Sequence, residues 1–234
     1  MHFLLTNDDG IHAPGLAALE AAVNAMGATC KVVAPAVEQS QCGHRVTTRE
    51  ALKVERRDEN HYAVHGTPAD CVRIALFGLN LKPDAVLSGV NQGGNMGQDI
   101  AISGTVAAVR EAAYHGLKAL AFSHYIIGDV GFDWPRVSEW TAEMLRRLLA
   151  EPLADGEYWN VNFPHLPPGP LPLPKVLFSQ PARSPLAVSF LSVSDNEDFS
   201  LYQYNARYAH RPQDEGSDVK ACFSGKVSVS KLKL

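Results

Sequence analysis

The chain has 234 residues, with 46% hydrophobic residues and 21 basic against 25 acidic side chains for a net charge of −4. That length suits one large or two small domains with a core that needs no staples. The near-balanced charge excludes a disordered polyelectrolyte and a basic nucleic-acid coat, so no nucleic-acid partner is expected.

Taken in chain order, Phe3 to Thr6 is an apolar run that ends in Asn7-Asp8-Asp9-Gly10. Pro14, with Leu16, Leu19, Val23 and Met26 at helical spacing, predicts a helix closed by Gly27. Lys31 to Ala34 is a buried β-branched strand ended by Pro35, so the first unit reads as a right-handed parallel βαβ. The pattern recurs. Tyr62 to Val64 predicts a strand, Thr67-Pro68 starts a helix through about Phe77, and Ala85 to Leu87 opens at Ser88-Gly89 into a glycine-rich stretch ending at Gly97. A helix from Gly104 with Ser103 as N-cap runs to Gly116, and Ala119 to Ser123 is the next strand. Alternation of this kind predicts an α/β fold, a Rossmann-like doubly wound and mostly parallel sheet covered on both faces.

A further helix is expected over Val137 to Leu149. Pro164, Pro167, Pro168, Pro170, Pro172 and Pro174 then place six prolines in 11 residues, which reads as a stiff extended connector. Beyond it Phe199 to Tyr208 and Lys226 to Leu232 look like strands. The expected division is an α/β core over 1–167 and a β-rich C-terminal arm over 168–234. Such an arm has unpaired edges, which favours exchange between subunits in a homodimer or homotetramer.

Cys30, Cys42, Cys71 and Cys222 show no C-x-x-C spacing, so reduced thiols are expected and a zinc knuckle is not. The opening MHFLLTNDDG leaves no room for a secretory leader, and no apolar stretch approaches a membrane span. The expectation is a cytoplasmic protein with no membrane partner.

Three polar clusters fall at carboxyl ends of predicted strands, where open α/β sheets bind ligands. Adjacent Asp8 and Asp9 repel each other and suit a hard divalent cation, although one could instead cap the next helix while the other is solvated. Gln39-Ser40-Gln41 follows the second strand and says little alone. The third cluster joins Ser88-Gly-Val-Asn91, Asn95 and Ser103-Gly104-Thr105. A helix start with two hydroxyls favours an anion such as phosphate, while a plain serine cap reads the same way. The absence of G-x-x-x-x-G-K-[ST], of G-x-G-x-x-G and of G-x-S-x-G excludes a P-loop nucleotide triphosphatase and argues against a dinucleotide oxidoreductase and an α/β-hydrolase.

Thr6-Asn-Asp-Asp-Gly10, Ala34-Pro35 with Glu38-Gln39-Ser40, Gly66-Thr-Pro-Ala-Asp-Cys71, Ser88-Gly-Val-Asn91 and Ser103-Gly-Thr105 together resemble the SurE family, survival protein E, over about residues 1–125. The resemblance implies a 5'/3'-nucleotidase, a phosphomonoesterase acting on nucleoside monophosphates and on short polyphosphate, with one divalent ion (Mg²⁺ or Mn²⁺) per subunit. It further implies Asp8, Asp9, Ser40 and Asn91 as metal ligands and Asn95, Ser103, Gly104 and Thr105 around the phosphate, with Asp8 and Asp9 the catalytic carboxylates. The sequence departs from the family pattern at Ala36, where an aspartate is usual. Since Asp8-Asp9 does not match the D-x-D of haloacid-dehalogenase-type phosphatases, attack by a metal-activated water is expected, although the sequence leaves open whether Asp8 itself attacks. Two other readings use the same residues: a non-catalytic nucleotide or phosphosugar sensor, and a transferase holding a metal-bound nucleotide-sugar.

Overall fold

The computed structural model describes residues 1–128, 130–196 and 198–234. Strand β1 (His2–Thr6) lies inside the sheet, and its alternation sets the layout. Phe3 and Leu5 enter one hydrophobic cluster and Leu4 the other, because successive side chains of a strand point to opposite faces. Helix α1 (Pro14–Ala25) covers the first face, with Leu16, Leu19 and Val23 inward, and returns the chain to β2 (Thr29–Pro35), which pairs parallel to β1. Gly27, at φ 69°, closes the helix as expected.

A short strand β3 (Val54–Arg56) pairs antiparallel with β4 (His61–Val64), which pairs parallel with β2. Helix α2 (Pro68–Arg73) then starts on a capping box: Thr67 Oγ1 accepts from the Asp70 N–H, and Asp70 accepts from the Thr67 N–H. It continues as a π-helical turn over Ile74–Gly78. Strand β5 (Ala85–Gln92) runs farther than its apolar residues suggest, carrying the chain through Gly89 to Gln92 with an irregularity between Ser88 and Asn91. A single turn, α3 (Asp99–Ile102), precedes α4 (Gly104–Tyr114), which with α2 and its π-helical turn covers the second face through Val72, Ala75, Val106 and Val109.

Strand β6 (Lys118–His124) pairs parallel with β5, and α5 (Trp134–Ala150) packs beside α1 on the first face through Val137, Trp140, Met144 and Leu148. Trp140 is 2% exposed, so truncating it to alanine would cost about 3–5 kcal/mol. Strand β7 (Glu157–Phe163) pairs parallel with β6. The remaining elements are β8 (Val176–Phe178), β9 (Phe190–Asp195), β10 (Ser200–Tyr204), α6 (Asp218–Phe223) and β11 (Val227–Lys233). The sheet order is β3-β4-β2-β1-β5-β6-β7-β11-β8, with β10-β9 as a separate antiparallel pair. This is the expected doubly wound, mostly parallel sheet, and it winds outward in both directions from β1 and β5.

Two expectations for the C-terminal region change. Strand β11 belongs to the main sheet, antiparallel to β7 and parallel to β8, so much of 168–234 packs on the core and the separate β-structure narrows to the β9–β10 hairpin. Its Val227 and Val229 enter the core while Ser228 and Ser230 are also buried, within hydrogen-bond reach of Ser179 Oγ. The proline stretch is extended but does not stand off. Arg136 donates to the carbonyls of Leu166, Pro167 and Gly169, and Trp140 Nε1 donates to Leu171 O, strapping the segment to α5. Extended backbone without internal hydrogen bonds leaves its carbonyls free to accept such donors.

Candidate active site

The strand order reverses between β1 and β5, and ligands bind outside the carboxyl ends of strands at such a switch point. A cavity of about 700 Å³ opens there. Of the eight residues singled out from sequence, Asp8, Asp9, Ser40, Asn91, Asn95 and Ser103 line it, whereas Gly104 and Thr105 do not. They come from four places: the turn after β1, the loop after β2, the end of β5 with its following loop, and the start of α4.

The turn after β1 is pinned from several sides. Asn7 Nδ2 donates to Gly10 O at 2.8 Å, the Ile11 N–H to Pro35 O at 2.8 Å, and the Gln39 N–H to Asp8 O at 2.7 Å. Neither aspartate caps α1, whose N-cap is Ala13 with no side-chain hydrogen bond. Asp8 is 5% exposed and accepts from Thr105 Oγ1 at 2.5 Å, while Asp9 Oδ2 accepts from the Gln92 N–H at 3.1 Å. Burial pushes the Asp8 carboxyl up to about 6; the Thr105 hydrogen bond pulls against that rise and the charge of Asp9 adds to it. Burial also raises Asp9, opposed by the Gln92 N–H and reinforced by Glu38.

Thr105 therefore spends its hydroxyl on Asp8 and holds that carboxylate. Gly104 explains itself by close approach, since a Cβ there would lie 2.8 Å from Asp8 Cβ and 3.0 Å from Cys42 Sγ. Ser103 does both things its position allows: its Oγ accepts from the Val106 N–H at 3.0 Å as the cap of α4, and it lines the cavity. Ser40 Oγ donates to Glu38 Oε1 at 2.5 Å. Asn91 Nδ2 donates to Gly93 O at 2.8 Å, which leaves Oδ1 as the amide's acceptor.

Sequence reading missed the residues that hold Asn95. Asn95 Nδ2 donates to Ser123 Oγ at 2.8 Å, its N–H to Asn162 Oδ1 at 2.8 Å, and its carbonyl accepts from Asn160 and Asn162. Asn160 and Asn162 alternate with Val161 and Phe163 along β7, so a polar row replaces the apolar one expected of a buried strand. Tyr208 and Asp99, also missed, fasten the other wall: Tyr208 Oη donates to Asp99 Oδ2 at 2.8 Å and to Gly94 O at 3.2 Å.

The donor set fits a hard divalent cation. Asp8 and Asp9 make no ion pair among the described residues, and both are raised by burial, the condition a cation relieves. No group of three or more His, Cys, Asp or Glu side chains gathers among the described residues. An ion here would rest on two carboxylates, with amide and hydroxyl oxygens available from Asn91 and Ser40. No helix among those described is long and apolar enough to cross a membrane.

A family model described as survival protein SurE matches residues 3–180. The chain belongs to the SurE family. It is 47% identical over 234 residues to a protein of Nostoc sp. named a putative 5'-nucleotidase, with each chain covered in full. It is 40% identical to the 5'-nucleotidase SurE of Geotalea uraniireducens, covering 100% of this chain and 93% of that one. Among solved structures, the SurE protein from Aquifex aeolicus superposes with a TM-score of 0.87 at 32% identity, covering 100% of this chain and 93% of its own. These SurE relatives align with this chain over nearly its full length, the β9–β10 region included.

Proposed function

We propose that this chain is a metal-dependent nucleotidase that hydrolyses nucleoside 5'- or 3'-monophosphates to nucleoside and phosphate, with activity on short polyphosphate as well. The observation that carries the reading is the meeting of Asp8, Asp9, Ser40, Asn91, Asn95 and Ser103 on one cavity beside the start of α4. The names of the relatives supply the substrate class.

Asp8, Asp9, Ser40 and Asn91 would hold one Mg²⁺ or Mn²⁺ per subunit. When bound, that ion supplies Lewis-acid charge to the phosphoryl oxygens and lowers the pKa of a water. Thr105 keeps Asp8 ionised and aimed. The start of α4, with the Ser103 hydroxyl, and the Asn95 amide would meet the remaining phosphoryl oxygens; charge neutralisation is what this slow reaction needs. Ile102, Leu186, Tyr204 and Tyr208 also line the cavity and would offer apolar surface to the nucleoside.

The β9–β10 hairpin supports a homodimer or homotetramer with exchanged arms. Phe190, Leu191, Val193, Leu201, Tyr202 and Tyr204 are all exposed on it, an apolar surface that water does not favour. Four unpaired cysteines suit a reducing cytoplasm.

Phosphate release from a panel of nucleoside monophosphates, with glycerol 2-phosphate and a nucleotide-sugar beside them, tests the activity. Preferential release from the nucleotides supports it. Binding without turnover points to a sensor, and transfer of a sugar without free phosphate points to a transferase.

A further inference from the structure

The loop that carries Ser40 runs over 36–53 with no helix or strand. A hydroxyl on so long a segment can serve a metal only if the segment is held still. Ser40 sits in irregular backbone, with Gln41 and Gly43 both at φ 57°. Two backbone ties flank it: the Gln39 N–H to Asp8 O at 2.7 Å and the Gly43 N–H to Ile102 O at 3.0 Å.

A side-chain tie lies four residues beyond Ser40. His44 Nε2 meets Glu111 Oε2 at 2.7 Å, and the Glu111 side chain is only 2% exposed. The same carboxylate accepts from Arg73 Nε at 2.7 Å and from His115 Nε2 at 3.0 Å. Burial alone would raise Glu111, yet the hydrogen bonds from His44, Arg73 and His115 hold it down at about 2. One buried anion thus joins α2, through Arg73, to α4 and to the Ser40 loop. Thr105, which holds Asp8, lies six residues earlier on α4, about 9 Å along its axis. A single rigid helix therefore grips both sides of the site: Asp8 through Thr105, and the Ser40 loop through Glu111 and His44. Arg73 already pairs Glu111 for packing α2 on α4. The His44 contact ties the loop to α4, while Thr47 on Asp70 at 2.8 Å and the Thr67 hydroxyl on Arg45 O at 2.6 Å tie it to the start of α2.

We infer that Glu111, acting through His44, is a positioning residue that sets the Ser40 loop at its distance from Asp8 and so tunes the site's hold on a divalent cation. The inference rests on the reading above that Ser40 and Asp8 share a metal.

The test is calorimetric titration of Mn²⁺ into the nucleotide-free full chain, with melting temperature recorded beside it. His44→Ala is expected to weaken Mn²⁺ binding by about 10-fold, in line with other outer partners of metal sites. His44→Gln, which keeps a donor of similar reach, recovers most of that loss. In a Ser40→Ala background, His44→Ala adds little further, because its effect passes through Ser40. The inference is overturned if His44→Ala binds Mn²⁺ as wild type does, if Gln is no better than Ala, or if the loss is undiminished without Ser40. A wild-type chain that binds no Mn²⁺ removes the metal reading itself, a result distinguishable from all of these.

Discussion

Replacing Thr105 by valine removes one hydroxyl and almost no volume. In the structure that hydroxyl donates to Asp8 Oδ1 at 2.5 Å with both residues buried, so nothing else takes its place. A hydrogen bond to a buried charged group contributes about 1.5–3 kcal/mol. That is roughly a 10- to 100-fold change in any equilibrium that needs ionised Asp8. The sign follows from the carboxyl. Asp8 already stands near 6, above its ordinary 3.8, and the Thr105 bond is what pulls it down. Without that bond the pKa rises further, and protons compete with the metal at higher pH. In the metal-free protein a raised carboxyl pKa means that the folded state binds the extra proton. Stability is then lost as pH rises from about 4 to about 6, by about 3 kcal/mol in the wild type and by more in the variant. The assay is Mn²⁺ affinity measured from pH 5 to 8 for wild type, Thr105→Ser and Thr105→Val. The acid limb should move to higher pH in the valine variant alone. An unmoved limb in Thr105→Val, or an equal shift in Thr105→Ser, would refute the assignment of that hydroxyl.

Other consequences are simpler. Asp8→Asn should lower kcat far more than Ser103→Ala, because a metal supplies several kcal/mol of transition-state stabilisation and a helix start about 0.3–2 kcal/mol toward an anion; steady-state kinetics with circular dichroism on both variants ranks them. Gly104→Ala should impair activity as strongly as a ligand change, since its Cβ would press on Asp8 Cβ at 2.8 Å, and near-wild-type kinetics would contradict that crowding. Deleting the hairpin, residues 188–205, should leave a folded chain of lower oligomeric order by sedimentation. A cut after Pro168 cannot ask the same question, because it also removes β11 from the main sheet.

How much of this was legible depends on what each residue had to announce. The βαβ units were readable because Pro14 and Thr67-Pro68 mark helix starts and Gly27 and Gly116 mark stops, each for a local backbone reason. The six cavity-lining residues were legible as polar clusters placed at strand ends by that same alternation. What escaped was non-local. Asn160 and Asn162 look like surface residues until the Asn95 loop is laid over β7. Glu111 reads as an exposed helix position until Arg73, His44 and His115 converge on it. Thr105 was expected at the phosphate, and only the fold shows its hydroxyl committed to Asp8. Strand β11 was expected over Lys226 to Leu232, but its place in the main sheet rests on pairing with β7 and β8, and the proline stretch is held down by the Arg136 guanidinium 30 to 33 residues away.

If Asp8 and Asp9 hold the metal that drives phosphate release from nucleotides, stripping the ion and removing the carboxylate should have the same effect. The most direct measurement is phosphate release from a nucleoside monophosphate by protein stripped with EDTA, before and after Mn²⁺ or Mg²⁺ is returned, on wild type and Asp8→Asn side by side. Stripped wild type should be inactive and recover with the ion, while folded Asp8→Asn should stay inactive at every ion concentration. Full activity in the stripped wild type, or recovery of Asp8→Asn to the wild-type rate, would rule out that role for the metal and for Asp8.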